Sequence, residues 1–140
     1  MNEDLLHFIW KFQLFDHSAL QTQEGAPVMI QKTGFHNHDA GPDFMDARIK
    51  IDDTLWAGNV EIHIKASDWY HHQHHKDAAY GNVILHVVLE NDLPGTEAEK
   101  HIAHLPCLEL KDRVSTALFS KYHQLKENQQ WIPCADQIGQ

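Results

Sequence analysis

Apolar and ionisable residues alternate along GNVEIHIK, residues 58–65. Because successive side chains on a strand point to opposite faces, this pattern predicts a strand with one apolar and one ionisable face. Two interpretations of this row stay open here: the solvated face of an antiparallel sheet, or part of a chemical site. The ionisable residues are Glu61, His63 and Lys65.

Helical spacing of apolar residues predicts two long helices. The first covers residues 3–15 and has Asn2 as its N-cap. Its inward positions are Leu5, Phe8, Ile9, Phe12 and Phe15. The second covers residues 112–128. Its inward positions are Val114, Leu118, Tyr122 and Leu125.

Period-two patterns and β-branched runs predict the strands. They are a strand that begins at Pro27, a hairpin formed by residues 44–51 and 55–66, an apolar strand over 82–90, and a strand over 101–110 interrupted near Pro106. Residues 67–81 form either a short helix or a structured loop. A buried strand after this crossover predicts an α/β or α+β class, with a mixed central sheet of about five strands flanked by helices.

Composition limits the classes of protein that fit. A chain of 140 residues with 42% hydrophobic residues fits one domain with a single core. A formal net charge of -9 argues against a broad electrostatic grip on nucleic acid, although 13 histidines can cancel much of that charge at lower pH. Cys107 and Cys134 lack CxxC spacing and no secretory leader is recognised, so we expect a reduced, cytoplasmic protein. No apolar run has the length of a membrane span.

Two acids in the predicted hairpin come close together if residues 52–54 form a three-residue loop. In that register Asp43 lies opposite His63 and diagonal to Glu61, with the two acids roughly 7–8 Å apart at the backbone. A register shift of two residues would put the acids directly opposite each other. A shift of one residue would put them on different faces of the sheet.

Two carboxylates at that separation repel each other, and either a raised pKa on one of them or a bound cation relieves the repulsion. An oxygen-rich pair suits Mg²⁺ or Mn²⁺, and a nearby imidazole or amine suits phosphate chemistry by orienting water or balancing charge. The alternative interpretation is that Asp43 caps the Gly41–Pro42 turn while Glu61 and Lys65 lie in solvent.

The run GPDF, followed by E-x-H and then by a buried strand after a short crossover, resembles the core of the PD-(D/E)XK nuclease superfamily. The resemblance implies a restriction-endonuclease-like α-β-β-β-α-β core and Mg²⁺-dependent hydrolysis of phosphodiesters. By position, Asp43 corresponds to the motif aspartate, Glu61 to the second metal-binding acid and Glu3 to the helical acid of some members. His63 stands where these nucleases have a lysine, and Lys65, one step further along the same face, is a possible substitute.

Longer stretches resemble a family of uncharacterised bacterial proteins, domain of unknown function 2851. They are EDLLHFIWKFQLFD, GFHNHDAGPDFMDARI, WAGNVEIHIKASDW and HKDAAYGNVILHVV, and together they cover most of residues 3–92. Members of that family are longer, so the resemblance implies that residues 1–140 are a single nuclease-like domain that corresponds to their N-terminal part. It supplies no known activity.

A histidine cluster, HHQHH, occupies residues 71–75. Pairs within it, such as His72 with His74, offer two imidazoles to Zn²⁺, and His86 on the apolar strand offers a third. Two other interpretations stay open: a polar, solvated helix face, or a phosphate contact or proton shuttle through His72 or His74. For His86 itself, a core histidine with a buried partner is the simplest interpretation.

Two classes of function follow. The first is a divalent-metal-dependent phosphodiesterase, a hydrolase acting on DNA or RNA. In it Asp43 and Glu61 hold Mg²⁺ or Mn²⁺ with help from Glu3. His63 or Lys65 then positions water or stabilises charge. The second class is a non-catalytic module that keeps the nuclease scaffold for binding, or that uses its histidines for a transition metal such as Zn²⁺.

Overall fold

The N-terminal helix α1 spans Glu3–Lys11 in the computed structural model, which describes residues 2–71, 78–93, 105–118, 120–122 and 124. Asn2 caps this helix as predicted, because its side chain accepts a hydrogen bond of 2.9 Å from the Leu5 backbone N–H. The prediction that the helix extends to Phe15 is wrong. Gln13 takes a positive φ of 53°, which ends the helix, and Phe12 is 54% exposed instead of facing inward.

The strands form one mixed sheet, as predicted, and the domain is of the α+β class. The sheet path is β1-β3-β4-β5-β6, and β2 pairs with β3 off that path. Strand β4 is antiparallel to β3 and parallel to β5, and β6 is parallel to β5. The strands are β1 (Val28–Lys32), β2 (Phe35–His36), β3 (Phe44–Ile51), β4 (Thr54–Lys65), β5 (Val83–Glu90) and β6 (Cys107–Glu109).

Two strand predictions need correction. The two-residue strand β2 was not predicted, because so short a segment has no measurable period. The last strand starts after Pro106 and is shorter than expected, because proline has no N–H to donate to a ladder. Residues 101–104 of that predicted strand lie outside the described residues.

The crossover between β4 and β5 contains a short helix α2 (Asp68–His71) and a 3₁₀ turn (Ala78–Tyr80). Residues 72–77, which include His72 and His74, lie outside the described part of the chain. After β6, residues 116–118, 120–122 and 124 are helical. The predicted start of that helix at 112 is wrong, because residues 111–113 form a turn.

The core lies between α1 and the sheet. Leu6, Ile9 and Trp10 of the helix are fully buried, as are Phe44 and Ile62 of the sheet. Three of the four inward positions predicted for the last helix pack against this cluster, and the fourth lies outside the described residues. Cys107 is buried with a free thiol. None of the helices described here has the length and apolar character needed to cross a membrane.

The β3–β4 turn corrects the predicted register. Ile51 pairs with Thr54, so the turn contains Asp52 and Asp53 only and the predicted three-residue loop is wrong. Asp52 takes a positive φ of 54°, a conformation that aspartate tolerates better than most residues.

A β-bulge then restores the parity of the hairpin. Taken alone, a turn one residue shorter than predicted would put Asp43 and Glu61 on different faces of the sheet. The register shifts again between Phe44 and Ala47, so that Phe44 pairs with Val60. The shorter turn and the bulge together amount to a shift of two residues, which brings the two acids directly opposite each other.

Local hydrogen bonding holds the bulge. Asp46 adopts a left-handed φ of 59°, and its backbone N–H donates to the Asn59 Oδ1 atom at 3.3 Å. On the neighbouring chain segment a Cβ atom at Gly34 would lie only 2.7 Å from the Met45 carbonyl oxygen. Glycine at 34 therefore allows the backbone to approach the bulge closely.

Candidate functional site

The carboxyl groups of Asp43 and Glu61 are in contact at the end of the hairpin. The Asp43 backbone N–H donates to Glu61 Oε1 at 3.2 Å, and Asp43 Oδ2 accepts from the Ile62 backbone N–H at 2.7 Å. The two carboxyl groups also share a hydrogen bond. Glu61 is only 3% exposed, so the interpretation that placed it in solvent is wrong.

This contact separates the pKa values of the two acids. Burial, followed by the neighbouring Asp43 carboxylate, raises the pKa of Glu61 to about 10. Burial also tends to raise the pKa of Asp43, but the hydrogen bonds that this carboxylate accepts outweigh burial and lower its pKa to about 2. These directions favour one proton held by the pair, on the Glu61 side, and a negative charge on the Asp43 side.

Helix α1 supplies a basic group that the sequence analysis missed. The Nε2 atom of His7 lies 3.5 Å from Asp43 Oδ1. Burial lowers the pKa of His7, but the neighbouring Asp43 carboxylate raises it by more, so the net shift is upward. Glu3, one helical turn earlier, lies near enough for its charge to raise the pKa of both His7 and Glu61. The spacing of Glu3 and His7, i and i+4 on one helix face, is the signal that could have found His7.

A buried pair of histidines lies on the inner side of Glu61. His63 Nδ1 is 2.8 Å from His86 Nε2, and both side chains are almost fully buried. His63 Nε2 lies 3.7 Å from Glu61 Oε2. The parallel pairing of β4 with β5 sets Glu61 beside His86, and the Trp69 ring covers His86 with its centroid 5.3 Å away. His63 is thus the buried partner expected for His86.

The other predicted site residues lie apart from the acids or outside the described chain. Lys65 is exposed at the end of β4, and in the part of the chain described here it forms no ion pair with Asp43 or Glu61. Its charge acts instead on Asp92. Burial raises the pKa of Asp92, but the hydrogen bonds from Ser67 and then the charge of Lys65 lower it, so the net shift is downward. His72 and His74 lie outside the described residues.

Three histidines line the outer side of the carboxylate pair, and we call His7, His36 and His38 the histidine rim. The His36 ring lies 5.1 Å from the His7 ring and 4.3 Å from the His38 ring, between centroids. It also stacks on Phe44 at 4.9 Å. Burial, and then the nearby charges of His7 and His38, lower the pKa of His36.

The site is open on the rim side and closed on the inner side. The Asp43 side chain is 21% exposed and the His7 side chain 14%, whereas the Glu61 side chain is 4% exposed. A ligand that reaches the acids from solvent therefore passes the histidine rim and meets Asp43 first.

The donor set of the pair suits a hard cation. Both carboxyl groups offer oxygen atoms, the ligands that Mg²⁺ and Mn²⁺ prefer. Within the described ranges no group of three or more His, Cys, Asp or Glu side chains is arranged to hold a metal ion. This finding weakens a zinc centre built from the rim, whereas Mg²⁺ is commonly held by one or two protein carboxylates together with water and phosphate oxygens.

The fold and the site define an α+β domain with a buried carboxylate pair at the open end of a β-hairpin. The chain belongs to the family described as protein of unknown function (DUF2851), which matches residues 3–140. No curated protein and no solved structure matches the chain.

Proposed function

We propose that the domain is a divalent-metal-dependent phosphodiesterase that acts on nucleic acid. The observation that carries the proposal is the buried pair of Asp43 and Glu61, in which the Asp43 backbone N–H donates to Glu61 and the Asp43 carboxylate accepts from the Ile62 N–H beside it. Burial and the Asp43 carboxylate raise the pKa of Glu61, which favours a proton held by the pair. A divalent cation that binds both groups would replace this proton, because metal binding favours deprotonated ligands. The resemblance of GPDF and E-x-H to the PD-(D/E)XK nuclease motif adds support.

Asp43 and Glu61 would hold Mg²⁺ or Mn²⁺, and the charge of Glu3 on α1 would add to the negative potential at the ion. When bound, such an ion polarises a phosphoryl oxygen and lowers the pKa of a coordinated water molecule. The two carboxylates leave positions for water and phosphate oxygens, as Mg²⁺ usually requires.

The histidines act on either side of the pair. Asp43 raises the pKa of His7, which favours its protonated form on the open side. In that form His7 would balance phosphate charge or give a proton from Nε2. His63 fills the inner side and excludes water behind Glu61, and His86 fixes the orientation of the His63 ring. His63, rather than Lys65, therefore takes the place of the motif lysine in this proposal.

Calorimetric titration with Mn²⁺ and cleavage of labelled DNA and RNA, single-stranded and duplex, test the proposal. We expect one Mn²⁺ site and metal-dependent cleavage, both lost in Asp43→Asn and in Glu61→Gln. Asp53→Asn is the matched control, because it makes the same chemical change at an exposed residue in the β3–β4 turn. Cleavage that survives Glu61→Gln, or no cleavage of any of the four substrates, would contradict the proposal.

The same titration addresses the histidine-based alternative. A Zn²⁺ site that disappears only when the histidines of residues 71–75 are replaced would favour the transition-metal module. An Mn²⁺ site without any cleavage would favour a non-catalytic binding module that keeps the same carboxylate pair.

A further inference from the structure

Strand β2, which pairs with β3 just beyond Asp43, carries an exposed aromatic residue. Phe35 of β2 is 62% exposed, and the Lys32 Nζ atom lies 5.0 Å from the centroid of its ring. Phe35 pairs with Met45, which is itself 36% exposed and lies two positions after Asp43. We call Lys32, Phe35 and Met45 the platform.

Core packing does not account for an aromatic residue at this position. Neighbouring residues on a strand point to opposite faces, and in β2 it is His36 that turns inward and stacks on Phe44. Phe35 consequently faces solvent together with Met45. An exposed apolar pair beside a candidate active site is more informative than a single exposed apolar residue elsewhere.

The platform includes one basic side chain, Lys32, although the formal net charge of the whole chain is -9. Lys32 belongs to the platform, and Lys11 lies near enough for its charge to contribute to the lowered pKa of His36, after burial and the neighbouring histidines. The Trp10 Nε1–H group donates to the Thr33 carbonyl oxygen at 3.1 Å, which ties the C-terminal end of α1 to the β1–β2 turn.

An exposed aromatic ring beside an ammonium group matches the chemistry of single-stranded nucleic acid. Unpaired bases stack on aromatic rings, and the phosphates between them contact lysines. A duplex keeps its bases in its own stack, so it cannot use the ring in this way.

We propose that the platform binds a single-stranded segment of nucleic acid, with a base stacked on Phe35 and the adjoining phosphate near Lys32. The phosphodiester that follows then lies toward the Asp43 side of the carboxylate pair. The inference rests on the proposed function for what happens to that phosphodiester, but the binding itself needs no metal ion.

Fluorescence anisotropy of the full chain in EDTA tests the binding, using a labelled oligothymidylate, the same strand with abasic sites, and the annealed duplex. We expect the oligothymidylate to bind most tightly. Phe35→Ala should weaken its binding by about fivefold or more and leave binding of the abasic strand unchanged. Trp56→Ala is the matched control, because Trp56 is 49% exposed beside the β3–β4 turn, away from the acids. Lys32→Gln should reduce the slope of log affinity against log salt by about 0.7.

Four results would overturn the inference: no binding, equal binding of the thymidylate and abasic strands, binding of the duplex at least as tight as binding of the single strand, or equal effects of Phe35→Ala and Trp56→Ala.

Sedimentation tests whether the platform is instead a contact between copies of the chain. A wild-type dimer that dissociates in Phe35→Ala would show this and overturn the inference. Unchanged melting temperatures establish that the variants fold. Phe35-dependent binding without any cleavage would contradict the proposed function but support this inference. Mn²⁺-dependent cleavage that Phe35→Ala does not change would support the proposed function but contradict this inference.

Discussion

Asp43 and Glu61 carry the same functional group but hold different protonation states, because their hydrogen bonds differ. Asp43 accepts from the Ile62 backbone N–H and faces His7, so its environment stabilises a negative charge. Glu61 lies deeper, faces the Asp43 carboxylate and has His63 behind it. A second negative charge there would meet both burial and repulsion.

This difference predicts opposite responses to replacement by the corresponding amide. Asp43→Asn removes the charged acceptor and should lower the free energy of unfolding at neutral pH by about 1–3 kcal/mol. Glu61→Gln reproduces the size and neutrality of the protonated acid, so we expect a change below about 1 kcal/mol. Urea unfolding of the two variants measures both effects. Equal destabilisation would show that Glu61 is ionised in the folded protein.

Some residues of the site can be predicted from the sequence pattern and others cannot. Strand alternation brings the two acids to one face only because the shorter turn and the bulge compensate each other. His63 and His86 stand out individually, but their contact depends on the register of a parallel pair, which no local pattern encodes. The apolar spacing of α1 predicts the core-facing residues of that helix and gives no information on His7. Only the i, i+4 spacing of His7 from Glu3 indicates that the two share a face.

At the scale of elements, the β3–β4 hairpin reaches its final register through two compensating changes. The turn is one residue shorter than predicted, and the bulge near Asp46 adds one residue to β3. A sequence pattern constrains the parity of the hairpin but does not locate a bulge, because the bulge depends on a left-handed backbone and a distant acceptor, Asn59.

The conformation of Asp46 allows a test of the bulge. Asp46→Val places a β-branched side chain in the left-handed region and should cost about 1–2 kcal/mol of stability. Asp46→Gly adopts that region freely, so it should leave stability unchanged or slightly higher. Thermal unfolding compares the pair. Equal stabilities would mean that the backbone at 46 is not left-handed.

Helix α1 carries His7 and Glu3 to the site, and sequence and structure place its N-cap at the same residue. Asn2→Ala removes the acceptor for the Leu5 N–H and should destabilise the domain by about 1 kcal/mol. Asn2→Asp keeps an acceptor and should retain most of that stability. Chemical denaturation distinguishes the two, and a loss of the same size in Asn2→Asp would contradict a capping role.

For the whole molecule, the mixed sheet follows from the sequence because its hydrophobic patterns are strong: an alternating hairpin, then a continuous apolar strand that must be buried on both faces. The crossover between β4 and β5 is less predictable. Its histidines have no apolar period that would specify a helix, and residues 72–77 lie outside the described chain. The interpretations of that cluster accordingly stay predictions.

The pKa shifts at the site make the stability of the whole molecule depend on pH. The pKa of Glu61 is about 10 in the folded protein against an ordinary value of 4.5, so the folded state binds more protons than the unfolded state between these values. The contribution of Glu61 is thus fully present below pH 4.5 and is lost as the pH rises toward 10. His7, whose pKa is raised above 6.5, adds to this alkaline loss. Asp43, lowered from 3.8 to about 2, acts in the opposite sense, because its contribution is present above 3.8 and is lost as the pH falls toward 2.

We therefore expect the free energy of unfolding to fall between about pH 5 and pH 9, and to fall less in Glu61→Gln, which cannot titrate there. Glu24→Gln, the same change at an exposed residue, should keep the wild-type slope. Urea unfolding at several pH values gives the three slopes. The difference between the wild-type and Glu61→Gln slopes counts the proton held by the pair, and two parallel curves would mean that the folded protein binds no such proton.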